Sequence, residues 1–205
     1  MFKKLMLAAA VSFAVSSGAG AATQGTLGAT STGSYNINAT IPPLVRISGL
    51  KDQTVTFTAA DISAAVACGH CQVTTIEQKF CVYSNQNAAG GYGVTVTGYK
   101  PPAGGPQNAG NETFGLQGNG TFITMRVNYS DNPSNDYSHP FVTNNVELTG
   151  LTATAGGNAR PNTLDCSDIA GGVDASIIVG FPVDAILAAV QGTYTGTLTL
   201  TVSPT

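Results

Sequence analysis

Residues 192–202 have the sequence GTYTGTLTLTV. In this run Leu198, Leu200 and Val202 alternate with threonines, which is the period of a β-strand with one buried face and one solvated face. We therefore expect a final strand from Tyr194 onward that packs into its sheet, because a free amphipathic terminus would fray.

The rest of the chain has the composition of an exported β-protein. Only 9% of its 205 residues are charged, Trp is absent, and short apolar runs are separated by Gly, Asn and Pro turn signals. This pattern predicts an all-β fold, an immunoglobulin-like antiparallel β-sandwich with one or two short helical turns. Further strands are expected at 35–41, 44–48, 55–57, 79–84, 91–98, 113–116, 122–129, 141–148 and 173–181, and helical turns at 59–67 and within 182–190.

Three segments are expected along the chain. Residues 1–22 read as a secretory signal peptide, with Lys3 and Lys4 before an apolar stretch and small residues at 19–21. Residues 23–41 form an N-terminal extension, and residues 42–205 form the sandwich domain.

Without the two signal lysines, the chain has six basic residues and eleven acidic ones. This excess of negative charge argues against a nucleic-acid partner.

The four cysteines predict disulfides, since an exported chain folds in an oxidising compartment. Pairing Cys81 with Cys166 would close a long loop, and a local bond between Cys68 and Cys71 would pin a turn. Cys68-Gly69-His70-Cys71 also matches the CGHC motif of thiol–disulfide oxidoreductases, but β-pattern follows it where a βαβ unit is needed.

Other chemical sites are weakly marked. Ligands for zinc or copper could come from Cys68, His70 and Cys71 together with His139. A structural disulfide between Cys68 and Cys71 is the simpler interpretation. The acidic and amide cluster at 131–136 offers oxygen ligands for calcium but lacks EF-hand spacing, so we interpret it as a solvated turn. No catalytic constellation, resident metal or cofactor is expected, and we predict that the protein is not an enzyme.

Three runs together resemble a known family. The ending at 192–202, Cys81-Val82-Tyr83-Ser84-Asn85 and the strand pattern of 91–98 are similar to those of spore coat protein U-type domains, the pilin-like subunits of archaic chaperone–usher fimbriae. The resemblance implies an incomplete sandwich whose groove is filled first by a periplasmic chaperone, with an outer-membrane usher as a further partner. The groove is then filled by the N-terminal strand of another subunit, through β-augmentation.

On this resemblance the donor strand would come from 23–41 and the acceptor edge from the final strand. The candidate pocket residues of the donor are Leu27, Tyr35, Ile37, Ala39 and Ile41. The candidate acceptor residues are Leu198, Leu200 and Val202. The expected product is a fibre at the cell surface, reached through the periplasm and built from copies of this chain or related subunits.

Alternatives remain open at this point. Residues 35–41 could instead be the domain's own first strand, which would leave 23–32 as donor with Leu27 and Ala29 as its apolar side chains. A self-complete sandwich would favour a monomeric exported module that binds carbohydrate or a surface partner. A third class is a periplasmic thiol- or metal-handling protein that uses Cys68, His70 and Cys71.

Overall fold

A computed structural model describes residues 23–68, 72–86, 90–102, 114–133, 141–153 and 160–205. The chain divides into two units, Met1–Pro42 and Pro43–Thr205, and the second unit contains all of the strands in the described residues. These are β1 (Val45–Ser48), β2 (Gln72–Ser84), β3 (Gly91–Thr97), β4 (Phe114–Gly118), β5 (Thr121–Ser130), β6 (Glu147–Thr152), β7 (Ala175–Pro182) and β8 (Thr199–Pro204).

The strands form two antiparallel sheets. One sheet has the order β1-β2-β7-β5-β4 and the other has the order β6-β3-β8. Strand β7 lies at the centre of the larger sheet, where Val179 is opposite Ile76 on one side and Val127 on the other. In the smaller sheet Val94 of β3 is opposite Val202 of β8.

One hydrophobic core joins the two sheets. Phe80 and Val82 of β2, Val127 of β5, and Val94 and Val96 of β3 are fully buried members of this core. Burying such a side chain stabilises the fold by about 1.5–3 kcal/mol, so these alternating positions hold the layers together. The predicted all-β, sandwich-like fold with short helical turns is confirmed.

Both short helices lie at one end of the larger sheet. Helix α1 (Ala59–Ala67) begins at a capping box, in which the Thr58 hydroxyl accepts from Asp61 N–H at 3.2 Å and the Asp61 carboxylate accepts from Thr58 N–H at 3.0 Å. Helix α2 (Val183–Leu187) directly follows β7. The rings of Phe57 and Phe181, which precede the two helices, pack edge to face at 5.1 Å. Neither helix has the length and apolar character to cross a membrane.

Several predicted strands differ from the structure. Residues 35–41 and 55–57 lie outside any strand, and the strand expected at 141–148 is instead β6, which begins at Glu147. The final strand begins at Thr199, because Thr195 exchanges two backbone hydrogen bonds with Gln117 of β4. Alternation marks which residues could face a core, but the available hydrogen-bond partners decide where a strand forms.

The N-terminal unit has little regular structure in its described part, 23–42. Its backbone is joined where Thr23 N–H donates to Ser34 C=O at 2.8 Å and Ser34 N–H donates to Thr23 C=O at 3.0 Å. The side chains of 23–42 are exposed. The signal peptide predicted for residues 1–22 lies outside the described residues.

Candidate functional site

A long apolar cleft opens into the sandwich domain between two segments that lie outside the strands. Its volume is about 1010 Å³, at the upper end of the range of about 300–1,000 Å³ that small-molecule pockets occupy. Residues 50–57 form one rim and residues 190–198 form the other. An eight-residue rim spans about 25 Å when extended, so the cleft is elongated.

The floor of the cleft is the inner face of the larger sheet. Strands β2, β7, β5 and β4 each present apolar side chains to it, because alternate residues of a strand share one face. Helices α1 and α2 add Ile62 and Ile186 at one end. The floor residues are Ile76, Ile177, Val179, Phe181, Ile123, Met125 and Leu116.

The first rim has backbone groups available for pairing. Residues 50–57 form no ladder with any strand in the described part of the chain. Side chains reach the Lys51 carbonyl, where Gln78 Nε2 donates at 2.7 Å and Gln53 Nε2 donates at 3.4 Å. Val55 and Phe57 are half buried and pack against the core, so this rim is held in place without a strand neighbour.

The second rim leads into an edge strand. Within the described sheets β8 is hydrogen-bonded to β3 and has no strand on its other side. Upstream of β8 the chain is anchored at Thr195, and Tyr194 OH donates to Val190 C=O at 2.7 Å. Gly196 allows a close approach to β4, since a Cβ there would stand 2.8 Å from Leu116 Cδ2. The cleft therefore reaches the open edge of the smaller sheet at Leu200.

The cleft is nearly free of charge. Among its lining residues only Lys51 and Asp52 carry charged side chains, and both lie toward the end that is remote from the helices. The helical end is walled by Phe57, Phe181 and Ile186. An occupant must therefore be largely apolar, and a charged side chain pointing into the floor would lose hydration without gaining a partner.

The structure brings two of the three predicted acceptor residues to this cleft. Leu198 and Leu200 line it, and Val202 packs against the core further along β8. The predicted donor residues are exposed, with exposed fractions of 74% for Tyr35, 78% for Ile37 and 79% for Ile41. Leu27 and Ala39 are exposed as well. The roles of donor and acceptor stay predictions.

The sequence alone did not identify the first rim or the floor as parts of a site. Alternation of Val55 with Phe57, and of Ile177 with Val179, signals which side chains face inward. It gives no sign of whether a strand covers them, because that depends on pairing between distant segments. Residues 50–57 form no strand although they lie beside an edge strand, and this is evident only in the three-dimensional structure.

A buried disulfide joins Cys81 of β2 to Cys166, with a Cα–Cα distance of 5.7 Å and a sequence separation of 85. This predicted pairing is confirmed. Cys68 is also disulfide-bonded, but its predicted partner Cys71 lies outside the described residues, so that pairing stays a prediction. The Cys68 sulfur is thus not a free thiol.

Asp174 is fully buried behind this disulfide. Its Oδ1 accepts from Val82 N–H at 2.7 Å, whereas its Oδ2 has no hydrogen-bond partner. Burial raises the pKa of Asp174 to about 7, the two backbone hydrogen bonds to its carboxylate lower it, and the charge of Asp131 adds a smaller upward effect. This carboxyl group was missed from the sequence, where Asp174 falls inside the strand expected at 173–181 and no local pattern marks a buried carboxyl group.

A buried pair of tyrosines lies near Asp174. The hydroxyls of Tyr92 and Tyr129 are 3.0 Å apart and hydrogen-bonded. Burial raises the pKa of both phenols above the ordinary value of 10. Each hydroxyl is thus kept neutral, and the pair satisfies two polar groups inside an apolar core.

Possible metal ligands are few in the described part of the chain. Cys81, Cys166 and Asp174 place three ligand atoms within 4.8 Å of one another, but both sulfurs belong to the disulfide and offer no thiolate. The metal-site alternative falls on His70, Cys71 and His139, which lie outside the described residues. Of the 131–136 cluster, residues 134–136 also lie outside them, and Asp131 Oδ2 accepts from Thr152 N–H at 3.0 Å.

Comparison with known proteins adds no relative. No protein-family model matches the chain, and no curated protein matches it at a significant level.

Proposed function

We propose that this protein is an exported structural subunit of a surface fibre, in which the cleft of one copy accepts the N-terminal segment of another copy as a β-strand. The observation that carries the proposal is the cleft itself, a mostly apolar channel whose second rim leads into the open edge of β8. A strand laid there would add ladder hydrogen bonds to β8 and fill the floor with alternate side chains.

The N-terminal segment has the chemistry that this channel requires. Residues 23–45 contain no Asp, Glu, Lys, Arg or His, so the segment can be buried without desolvating a charge. Tyr35, Ile37, Ala39 and Ile41 alternate with polar residues and would all face the floor of the cleft. Seven residues from 35 to 41 extend about 23 Å, close to the length of the 50–57 rim.

The family resemblance of the sequence supports the same proposal. It adds a periplasmic chaperone and an outer-membrane usher as partners, because an open apolar edge pairs indiscriminately until it is covered. Export by the predicted signal peptide would bring the chain to the periplasm and then to the cell surface. Structural assembly requires no catalysis, which agrees with the prediction that the protein is not an enzyme.

Strand donation can be tested with the mature chain, 23–205, beside a chain that starts at Pro42. We expect the mature chain to form filaments in negative stain, and the truncated chain to stay short and bind a synthetic 23–41 peptide. Matched peptides sharpen the test. An Ile37→Asp peptide puts a charge on the floor side, whereas an Asn38→Asp peptide puts the same charge on the solvent side.

Loss of binding for the Ile37→Asp peptide with retention for the Asn38→Asp peptide is the expected result. Binding by both peptides, or by neither, would contradict an inserted strand. Two well-folded monomers that ignore every peptide would show a self-complete sandwich, and the monomeric binding module would then be the better interpretation.

A further inference from the structure

Three exposed apolar side chains lie at the helical end of the sandwich. Val66 of α1 is 51% exposed, Leu187 of α2 is 58% exposed, and Val190, three residues beyond α2, is 59% exposed. We call Val66, Leu187 and Val190 the helical-end patch. The two helices contact each other, and exposed apolar surface shared by adjoining elements marks interaction sites.

A fourth exposed side chain lies at the opposite end. Strand β2 runs from Gln72, which is opposite Pro182 just before α2, to Ser84, which is opposite Val45. Its 13 residues span about 40 Å. Leu44 precedes Val45, is 49% exposed, and is held there because its N–H donates to Asn85 Oδ1 at 2.6 Å.

The direction of a donated strand follows from two features of the cleft. The second rim and β8 run in one direction, away from the helices, from Val190 toward Pro204, and antiparallel pairing gives the more stable ladder. A donor antiparallel to β8 ends at the helices, where the apolar wall suits Ile41. Tyr35 then lies at the far end, where Gln53 and Gln78 can bond its hydroxyl.

The donor's own sandwich must begin close to that point. Only Pro42 and Pro43 separate Ile41 from Leu44, and three Cα steps span at most about 11 Å. Two successive prolines also fix the backbone in an extended form. The linker therefore leaves no room for a gap between the two sandwiches.

Resting on the proposed function, we propose that Leu44 of the donating copy packs on the helical-end patch of the accepting copy. The contact joins opposite ends of identical molecules, so it is heterologous and can repeat from each copy to the next along a fibre. It makes the fibre a stiff rod in which adjoining sandwiches touch, and not a string of sandwiches on flexible links.

Cysteine cross-linking tests this contact in the full mature chain. A chain with Leu44→Cys and Leu187→Cys cannot form the bond within itself, because the two sites lie at opposite ends of β2 and a disulfide needs Cα atoms within about 7 Å. We expect oxidised filaments to give a covalent ladder on non-reducing gels. A matched chain with Leu164→Cys and Leu187→Cys, in which Leu164 is 48% exposed, should give none.

A second variant keeps strand donation and removes the two residues of the helical-end patch that lie outside the cleft. Val66 and Leu187 do not line the cleft, so Val66→Ser with Leu187→Ser should bind the 23–41 peptide with unchanged affinity. Its filaments should bend more, with a several-fold shorter persistence length by electron microscopy.

The outcomes separate the two proposals. Filaments that form normally, give no Leu44→Cys to Leu187→Cys ladder and stay equally stiff in the serine variant would overturn the end-to-end contact while leaving strand donation intact. If the mature chain forms no filaments and ignores the peptide, strand donation fails, and the contact fails with it.

Discussion

The replacement of Asp174 by asparagine should change stability in a direction that depends on pH. The folded state holds the Asp174 proton up to pH about 7, whereas the unfolded chain releases it near 3.8. Between these values the folded state binds more protons, so stability falls as pH rises through this window. Asp174→Asn removes this loss because an amide does not ionise.

The size of the effect follows from the two pKa values. Their difference of about three pH units corresponds to at most about 4 kcal/mol. Relaxation and water entry around a charged Asp174 reduce this, so we expect on the order of 2 kcal/mol. The amide oxygen can still accept from Val82 N–H, but its NH₂ group places two N–H donors where the protonated carboxyl has one O–H without a partner, and an additional unsatisfied buried donor costs about 1–3 kcal/mol.

These opposing contributions predict a change of sign. At pH 4.5 Asp174→Asn should be less stable than the parent, and above pH 8 the difference should vanish or reverse. Urea unfolding at four pH values from 4.5 to 8.5 measures this. As a control, Asp165→Asn should give a pH-independent difference, because hydrogen bonding to Ser167 lowers the pKa of this exposed carboxyl. A constant difference for Asp174→Asn across this range would refute the reasoning.

Two further predictions concern the core around Asp174. Replacing both Cys81 and Cys166 with alanine should lower the free energy of unfolding by about 4–5 kcal/mol, since their bond closes a loop of 85 residues. Chemical denaturation of the oxidised parent and of the double variant measures this loss. A loss under 1 kcal/mol would contradict the prediction. Tyr129→Phe should cost about 1–3 kcal/mol because it leaves the Tyr92 hydroxyl buried without its partner. Adding Tyr92→Phe should then cost little more, and additive losses in that double-mutant cycle would contradict a direct bond.

Local signals predicted some elements well. Helix α1 was expected at 59–67 and is found at Ala59–Ala67, because Asp61 acts within the first turn and needs no distant partner. Strand β3, expected at 91–98, is found at Gly91–Thr97. The alternation of Val94 and Val96 with Thr95 is enough to predict which side chains of β3 face the core and which face away from it.

Elements that depend on distant partners were harder to predict. Residues 35–41 have as clear an alternation as the final strand, yet no described strand pairs with them. Conversely, β2 is longer than expected because β7 pairs with it from Gln72 to Phe80, a stretch rich in Thr, Gln and Lys. Hydropathy predicts burial, and burial is only one of the conditions for a strand.

The candidate site divides in the same way. The buried face of Leu198 and Leu200 was predicted from the period of one segment, whereas their place at an acceptor edge is what the family resemblance implies. The 50–57 rim and the unpartnered Oδ2 of Asp174 depend on what lies opposite them in space. Such features require the packed structure, since nothing in a single segment records the absence of a neighbour.

The bond between Cys81 and Cys166 also sets how far the molecule can be stretched. A chain pulled from both sides of the sandwich can lengthen only outside the enclosed loop, which contains β3, β4, β5 and β6. The 85 residue steps within it would otherwise contribute about 300 Å of extended length. With the bond intact, a pulling force passes directly from Cys81 to Cys166 and does not extend the loop between them. A domain that unfolds under tension therefore gains only part of its full extended length. The four strands inside the loop stay covalently linked, which shortens the search when the domain refolds.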